Sequence, residues 1–411
     1  MVARLLTPAE LVHKLDALVI GQREAKQQLA MAVYRHYLGL RLRQQGGAAG
    51  QDLGPQHQLL LGPTGVGKSH LVKSIAALLG VPTAFTACTS LVETGYVGTP
   101  VESVFFSLLD RADGDPRLAE CGIVFLDEFD KLRRAPDVGR DVSGEGVQNG
   151  LLTLMDGRPV RLRYRDREVT LDSAKVLFLC TGAFSGLVPI VRRRLARDHA
   201  ALGFTGGSRA RDDAGNAEWL ARATPEDLIE FGIIPELVGR FAGIVALHAL
   251  THADLERVLS DAQHSPLRAK ERLFELHGIR LEVAADVRHV LVERAVAQGL
   301  GARALHRVVA EAFADLEFQL PRLAAQGVGA VRMTLAAVDG NGTPILIHRR
   351  DLRDWKPPQP SADDLRHGPP RPRTDPQAKP QREAPGRRPR EASQPPQNPS
   401  PDGPTLFEPG S

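Results

Sequence analysis

Residues 58–79 constrain the fold more than any other stretch. The apolar run Gln58-Leu-Leu-Leu61 leads into Gly62-Pro-Thr-Gly-Val-Gly-Lys-Ser69, and then into Leu71-Val-Lys-Ser-Ile-Ala-Ala-Leu-Leu79, where apolar residues recur with a helical period. Strand, glycine-rich turn and helix in this order predict a phosphate-binding loop. Gly62, Gly65 and Gly67, with Pro63, Thr64 and Val66 between them, let the backbone curl so that N–H groups face phosphate oxygens. The helix N-terminus adds its partial positive charge. Lys68 would reach the β- and γ-phosphates, and the Ser69 hydroxyl would ligate Mg²⁺. A turn used only for packing has no need of the Lys-Ser ending. The expectation is a chain that binds ATP or a related triphosphate with Mg²⁺.

With 411 residues there is room for two domains, each with a sizeable core. The net charge of +3 is too small to argue for a nucleic-acid partner, and none is expected. Cys88, Cys121 and Cys180 lie at no metal or redox spacing and read as thiols of a reducing cytosol. No apolar run approaches membrane-spanning length and no signal peptide is present, so a cytoplasmic protein without membrane contact is expected.

Thr7-Pro-Ala-Glu10 predicts a helix start with Thr7 as N-cap and Glu10 closing a capping box. Val19-Ile-Gly-Gln22 separates this helix from a second, Arg23 to about Arg43. Beyond the phosphate loop, apolar runs at Pro82–Ala87, Gly122–Leu126 and Lys175–Cys180 alternate with helical patterns at Val101–Arg111 and Gly146–Met155. Such alternation predicts an α/β fold with a mainly parallel sheet. From about Thr251 the pattern is mostly helical and ends in a strand pair, Val331–Leu335 and Pro344–His348. After Trp355 the chain becomes rich in Pro, Arg, Gln and Ser and carries about half of the 30 prolines, a composition that predicts a disordered tail. The expected organisation is a large ATPase domain over 1–249, a smaller helical lid over 250–350, and the tail over 351–411.

Chemistry gathers at strand ends. Ile123-Val-Phe-Leu126 runs into Asp127-Glu128, where parallel sheets bind ligands. Asp127 would hold the Mg²⁺, and Glu128 would polarise the attacking water. Thr181, ending the next buried strand, either hydrogen-bonds that water or the γ-phosphate, or is simply a β-favouring residue at a strand end.

Several further runs resemble ClpX, the AAA+ protein unfoldase: Glu93-Thr-Gly-Tyr-Val-Gly98, Arg140-Asp-Val-Ser-Gly-Glu-Gly-Val-Gln148, Ile234-Pro-Glu-Leu-Val-Gly-Arg240, Gly301-Ala-Arg303 and Val19-Ile-Gly-Gln22. The resemblance runs from about Thr7 to His348. It implies a P-loop AAA+ domain followed by a lid, in which Val19 and Ile20 contact adenine and Arg303 reaches the γ-phosphate in cis. Arg240 would be the finger offered to a neighbouring subunit's nucleotide in a homo-hexamer; read alone, it is an ordinary surface arginine. Tyr96 and Val97 match the loop that grips polypeptide substrates in the pore, and Arg140–Gln148 matches the second pore loop. Leu202-Gly203-Phe204 resembles the loop that docks on a ClpP-like peptidase; alternatively it tucks one Phe into its own domain.

Two departures stand out. The family's N-terminal zinc-binding domain has no counterpart, the chain has no cysteine cluster, and no zinc is expected. In place of the family's basic pore-entrance loop stands Arg158-Pro-Val-Arg-Leu-Arg-Tyr-Arg-Asp-Arg167. On one strand Arg161, Arg163, Arg165 and Arg167 would share a face, either attracting acidic tails or forming the solvated side of a hairpin. The chain shows no peptidase nucleophile. The leading expectation is an ATP-driven unfoldase feeding a ClpP-like peptidase. A peptidase-independent remodeller and a nucleic-acid motor are the alternatives.

Overall fold

A computed structural model describes residues 5–46, 53–54, 56–92, 98–134, 144–201, 214–261 and 265–352. Helix α1 (Pro8–Leu18) begins at Thr7, whose hydroxyl accepts from the Glu10 N–H while the Glu10 carboxylate accepts from the Thr7 N–H, the reciprocal cap expected. Helix α2 (Arg23–Gln44) follows.

The sheet holds five parallel strands: β1 (Gln58–Leu61), β2 (Thr83–Ala87), β5 (Ile123–Asp127), β8 (Leu177–Gly182) and β9 (Gly243–Ala246), in the order β2-β5-β8-β1-β9. Short strands β3 (Leu91–Val92) and β4 (Thr99–Pro100) pair with each other in a separate two-stranded piece. The strand period of two sends alternate side chains to opposite layers. Leu59, Leu61, Val124, Leu126, Phe178 and Cys180 join one core, with α4 (Ser103–Arg111) and α5 (Glu145–Met155). Leu60, Ile123, Phe125, Leu177 and Leu179 join the other, with α1, α2 and α3 (Lys68–Leu79). Continuous apolar runs such as Ile123–Leu126 are thus the signature of strands covered on both faces.

Further helices complete this part: α6 (Leu187–Ala201) and the short Pro116–Ala119, Ala214–Leu220, Pro225–Phe231 and Pro235–Val238. Gln148, from the run matched to a second pore loop, is buried in α5. Its amide donates to the carbonyls of Leu132 and Gly232 and accepts from the Ile234 N–H, stapling three segments.

The arginine-rich segment is not one strand. Strands β6 (Pro159–Tyr164) and β7 (Arg167–Asp172) form an antiparallel hairpin, and Arg165 and Asp166 both take left-handed φ in its two-residue turn. Arg161 and Arg163 stay exposed on β6, but Arg165 turns away to Asp110 at 2.8 Å and Arg167 lies on the returning strand. The expected four-arginine face does not form, because the turn interrupts the alternation.

From Thr251 a third core gathers α7 (His252–Ser260), α8 (Pro266–Leu276), α9 (Ala285–Ala297) and α10 (Ala302–Ala325). The expected strand pair is present as β11 (Val328–Met333) and β12 (Ile345–His348), joined by β10 (Arg280–Val283), which pairs parallel to β11. Leu335 leaves the strand because Thr334 caps a short helix, its hydroxyl accepting from the Ala337 N–H. No helix among the described residues is long and apolar enough to cross a membrane.

Candidate active site

The parallel topology brings the C-terminal ends of β1, β8 and β5 side by side, with Leu61 opposite Gly182 and Leu126 opposite Cys180. The loop 62–67, Asp127-Glu128 and Thr181 therefore emerge at one edge. A cavity of about 500 Å³ lies there, lined by Thr64–Ser69, Asp127, Glu128, Asp130, Val19, Ile20, Ala302 and Arg303 among others. That volume suits a nucleotide-sized ligand.

Lys68 opens α3 and is nearly buried; its ammonium donates to the carbonyls of Gly62 (2.5 Å) and Pro63 (2.8 Å). Burial pushes its pKa down to about 8, with Arg303 adding to the depression and Asp127 and Asp130 opposing it. An anion bound beside Lys68 would restore its charge. Triphosphate binding at pH 8.5 is therefore expected to take up part of a proton, and the apparent affinity to fall as pH rises through about 8. Calorimetry in buffers of different ionisation enthalpy measures this. Proton release, or no exchange, would refute the assignment of Lys68 to the phosphates.

Asp127 is held from three sides. Thr181 Oγ1 donates to Oδ1 at 2.6 Å, Ser69 Oγ donates to Oδ2 at 2.7 Å, and the Glu128 N–H donates to Oδ1 at 2.9 Å. Burial alone would raise its pKa, but these bonds and the nearby Lys68 charge outweigh it and hold the carboxyl below the usual range. Ser69 and Asp127 together present hard oxygen donors of the kind Mg²⁺ takes. Thr181 is fully buried, and its hydroxyl is engaged on Asp127.

Glu128 sits at a left-handed φ of 58° at the head of a short 3₁₀ turn, and its carboxylate accepts from Thr89 Oγ1 at 3.0 Å. Thr89 escaped sequence reasoning. It lies 39 residues away, just past β2, and only the parallel pairing of β2 with β5, which sets Ala87 beside Asp127, brings it near. Asp130 and His306 also line the cavity without having been singled out.

Val19 and Ile20 are buried in an apolar wall completed by Leu18, Leu250 and Val258. Three polar ties fix this wall. Lys26 Nζ donates to the Val19 carbonyl (2.5 Å) and to Asp16 (2.7 Å), while His70 lies 3.0 Å from the Leu18 carbonyl. Gln22 donates to the carbonyls of Val66 and His248 and accepts from the His248 N–H, joining the wall, the phosphate loop and the segment that follows β9.

Arg303 enters from the first turn of α10, and that helix sits directly on the phosphate loop. The Ala302 N–H donates to the Gly65 carbonyl at 3.0 Å. A Cβ on Gly65 would stand 2.0 Å from the Leu300 carbonyl oxygen, and one on Gly301 would stand 2.8 Å from the Gly65 carbonyl oxygen. Both glycines have positive φ, so neither position accepts a side chain.

Arg240 is not brought to this cavity. It pairs instead with Asp156 at 2.6 Å and is 45% exposed. Tyr96, Val97, Leu202, Gly203 and Phe204 lie outside the described residues.

Two family descriptions match the chain: the AAA domain (Cdc48 subfamily) over residues 56–244, and the C-terminal, D2-small domain of ClpB protein over residues 250–317. Among curated proteins, the chain is 38% identical over 331 residues to the ATP-dependent Clp protease ATP-binding subunit ClpX of Azotobacter vinelandii, covering 77% of this chain and 75% of that one. It is 37% identical over 324 residues to the same subunit of Porphyromonas gingivalis (76% and 78% covered) and 36% over 327 residues to that of Treponema denticola (77% and 78%).

Proposed function

The chain belongs to the ClpX family of AAA+ ATPases, and from that premise we propose that it is the ATP-hydrolysing subunit of a homo-hexameric ring that unfolds proteins and threads them toward a ClpP-like peptidase. The observation that carries the reading is the seating of Arg303 and its helix on the phosphate loop, while Arg240 points elsewhere. On this reading Arg303 serves the chain's own nucleotide, and Arg240, which pairs with Asp156 in the single chain, exchanges that partner for a neighbour's phosphates.

We assign residues 1–249 to the large ATPase domain, 250–350 to the lid and 351–411 to the tail. Val19 and Ile20 pack on adenine. The backbone of 62–67 and Lys68 hold the phosphates. Ser69 and Asp127 would hold Mg²⁺, which would supply charge neutralisation at the phosphate oxygens. Thr181 positions Asp127 rather than touching substrate. Glu128 takes the proton of the attacking water, and Thr89 sets where its carboxylate rests. Arg303 and a neighbour's Arg240 stabilise the charge that develops on the transferred phosphoryl group. Tyr96 and Val97 grip the polypeptide, an assignment resting on sequence: aromatic and branched side chains between glycines hold extended chain by packing. Leu202, Gly203 and Phe204 dock on the peptidase, on the same footing.

The test is an unfolding assay on a tagged fluorescent protein, with ATP, with and without a ClpP-like peptidase. ATP-dependent loss of fluorescence is expected, with degradation only when the peptidase is added. Deleting residues 202–204 should abolish degradation and spare ATP turnover. An assembled wild-type ring that hydrolyses ATP yet unfolds no tagged substrate would sink the reading.

A further inference from the structure

Helices α7 and α9 meet through their apolar faces, with Leu255 and Leu259 of the first and Val287, Leu291, Val292 and Ala295 of the second buried. Each helix also carries a histidine and a glutamate one turn apart: His252 and Glu256 on α7, His289 and Glu293 on α9. The two imidazoles lie with ring centroids 5.0 Å apart. Glu256 Oε1 sits 3.6 Å from His252 Nδ1 and 3.4 Å from His289 Nδ1. One ligating atom from each of these three residues lies within 4.8 Å of the other two.

Four ligands at about 2.0–2.2 Å around a tetrahedral zinc ion stand roughly 3.3–3.5 Å from one another. Two edges of the triangle already have close to that length. The other side of the His252 ring is equally telling. Its Nε2 atom is buried and 2.9 Å from Glu293 Oε1, though not aligned as a full hydrogen bond. A metal-binding histidine characteristically turns its second ring nitrogen toward a carboxylate, which leaves the first free to ligate.

We propose that His252, Glu256 and His289 form a binding site for a divalent transition-metal ion of the zinc class, with Glu293 orienting His252 and water completing the coordination. Two imidazoles with one carboxylate favour such an ion over Mg²⁺ or Ca²⁺, which take oxygen ligands. The absence of zinc expected from cysteine spacing does not reach this site, since no cysteine takes part. The ion would tie α7 to α9, and α7 carries Val258 of the nucleotide cavity's apolar wall. Metal in the lid would therefore stiffen the surface against which the base of the nucleotide packs.

The tag-free full chain, stripped with chelator and kept in excess Mg²⁺ so that Ser69 and Asp127 are saturated, is titrated with Zn²⁺ by calorimetry and with Co²⁺ by visible absorption. One Zn²⁺ per chain is expected, together with the strong d–d bands of four-coordinate Co²⁺, lost when Zn²⁺ is added. Zn²⁺ should raise the Tm of the wild type but not of His289→Ala, and Glu293→Gln should bind about 10–100-fold more weakly. His289 is 58% exposed, so its replacement tests the site even if His252→Ala fails to fold. No saturable Zn²⁺ binding, as for a cluster held by hydrogen bonds alone, would overturn the proposal. Equal Zn²⁺ affinity in wild type and His289→Ala would do the same.

Discussion

Glu128→Gln is expected to bind ATP about as tightly as the wild type and to turn it over about 10²–10⁴-fold more slowly. The substitution keeps the shape and the capacity to accept from Thr89 Oγ1, which now lies 3.0 Å from the carboxylate. It removes the basicity. The left-handed backbone at Glu128 is already in place, and Asp127 keeps its bonds to Ser69, Thr181 and the Glu128 N–H. Binding and chemistry should therefore separate, in a titration with a fluorescent ATP analogue and in steady-state phosphate release. A variant that turns over at the wild-type rate would remove Glu128 from the reaction. One that loses nucleotide binding as well would make it a structural residue.

Gly65→Ala should cost far more than its single methyl group suggests. Gly65 has a φ of 81° and Gly67 a φ of 97°, so alanine at either position bears backbone strain of about 1–2 kcal/mol. The surroundings differ. A Cβ at Gly67 meets nothing within 4 Å, whereas one at Gly65 would overlap the Leu300 carbonyl oxygen at 2.0 Å. Backbone cannot swing aside as a long side chain can, so the Ala302 hydrogen bond to Gly65 must break and α10 must lift. In urea unfolding without nucleotide, Gly67→Ala should lose only the strain term, and Gly65→Ala a further ~1–3 kcal/mol. Equal losses would mean that the lid helix does not rest on the loop.

The parts of the molecule that could be read beforehand are those whose chemistry is local. The phosphate loop announces itself because three glycines, a lysine and a serine must be contiguous to curl around an anion. Buried strands such as Ile123–Leu126 show as unbroken apolar runs because both faces are covered. Arg280–Val283 was not legible: it is exposed at Arg280 and half-buried at Glu282, and it is a strand because β11 offers it an edge. Nor were Gln22 and Thr89, whose partners lie 226 and 39 residues away and are set by sheet order rather than by any neighbour in sequence. The segment Arg161–Arg167 was legible in part: the hairpin alternative is what forms, and the shared face of four arginines does not. Its alternation is real, but two residues with left-handed φ turn the chain back on itself.

The contact of α10 with the phosphate loop also has a mechanical meaning. A helix of 24 residues is about 36 Å long, at 1.5 Å per residue. Pivoted at Gly65, it would work as a lever whose short arm is an atom or two of loop and whose long arm runs the length of the helix. A tilt of about 5° at the pivot would carry the far end about 3 Å. The loop need move only as far as a phosphate's arrival or departure would push it. Phe318, on the long arm and 90% exposed, would travel most of that distance, turning a local event at a nucleotide into displacement at the surface.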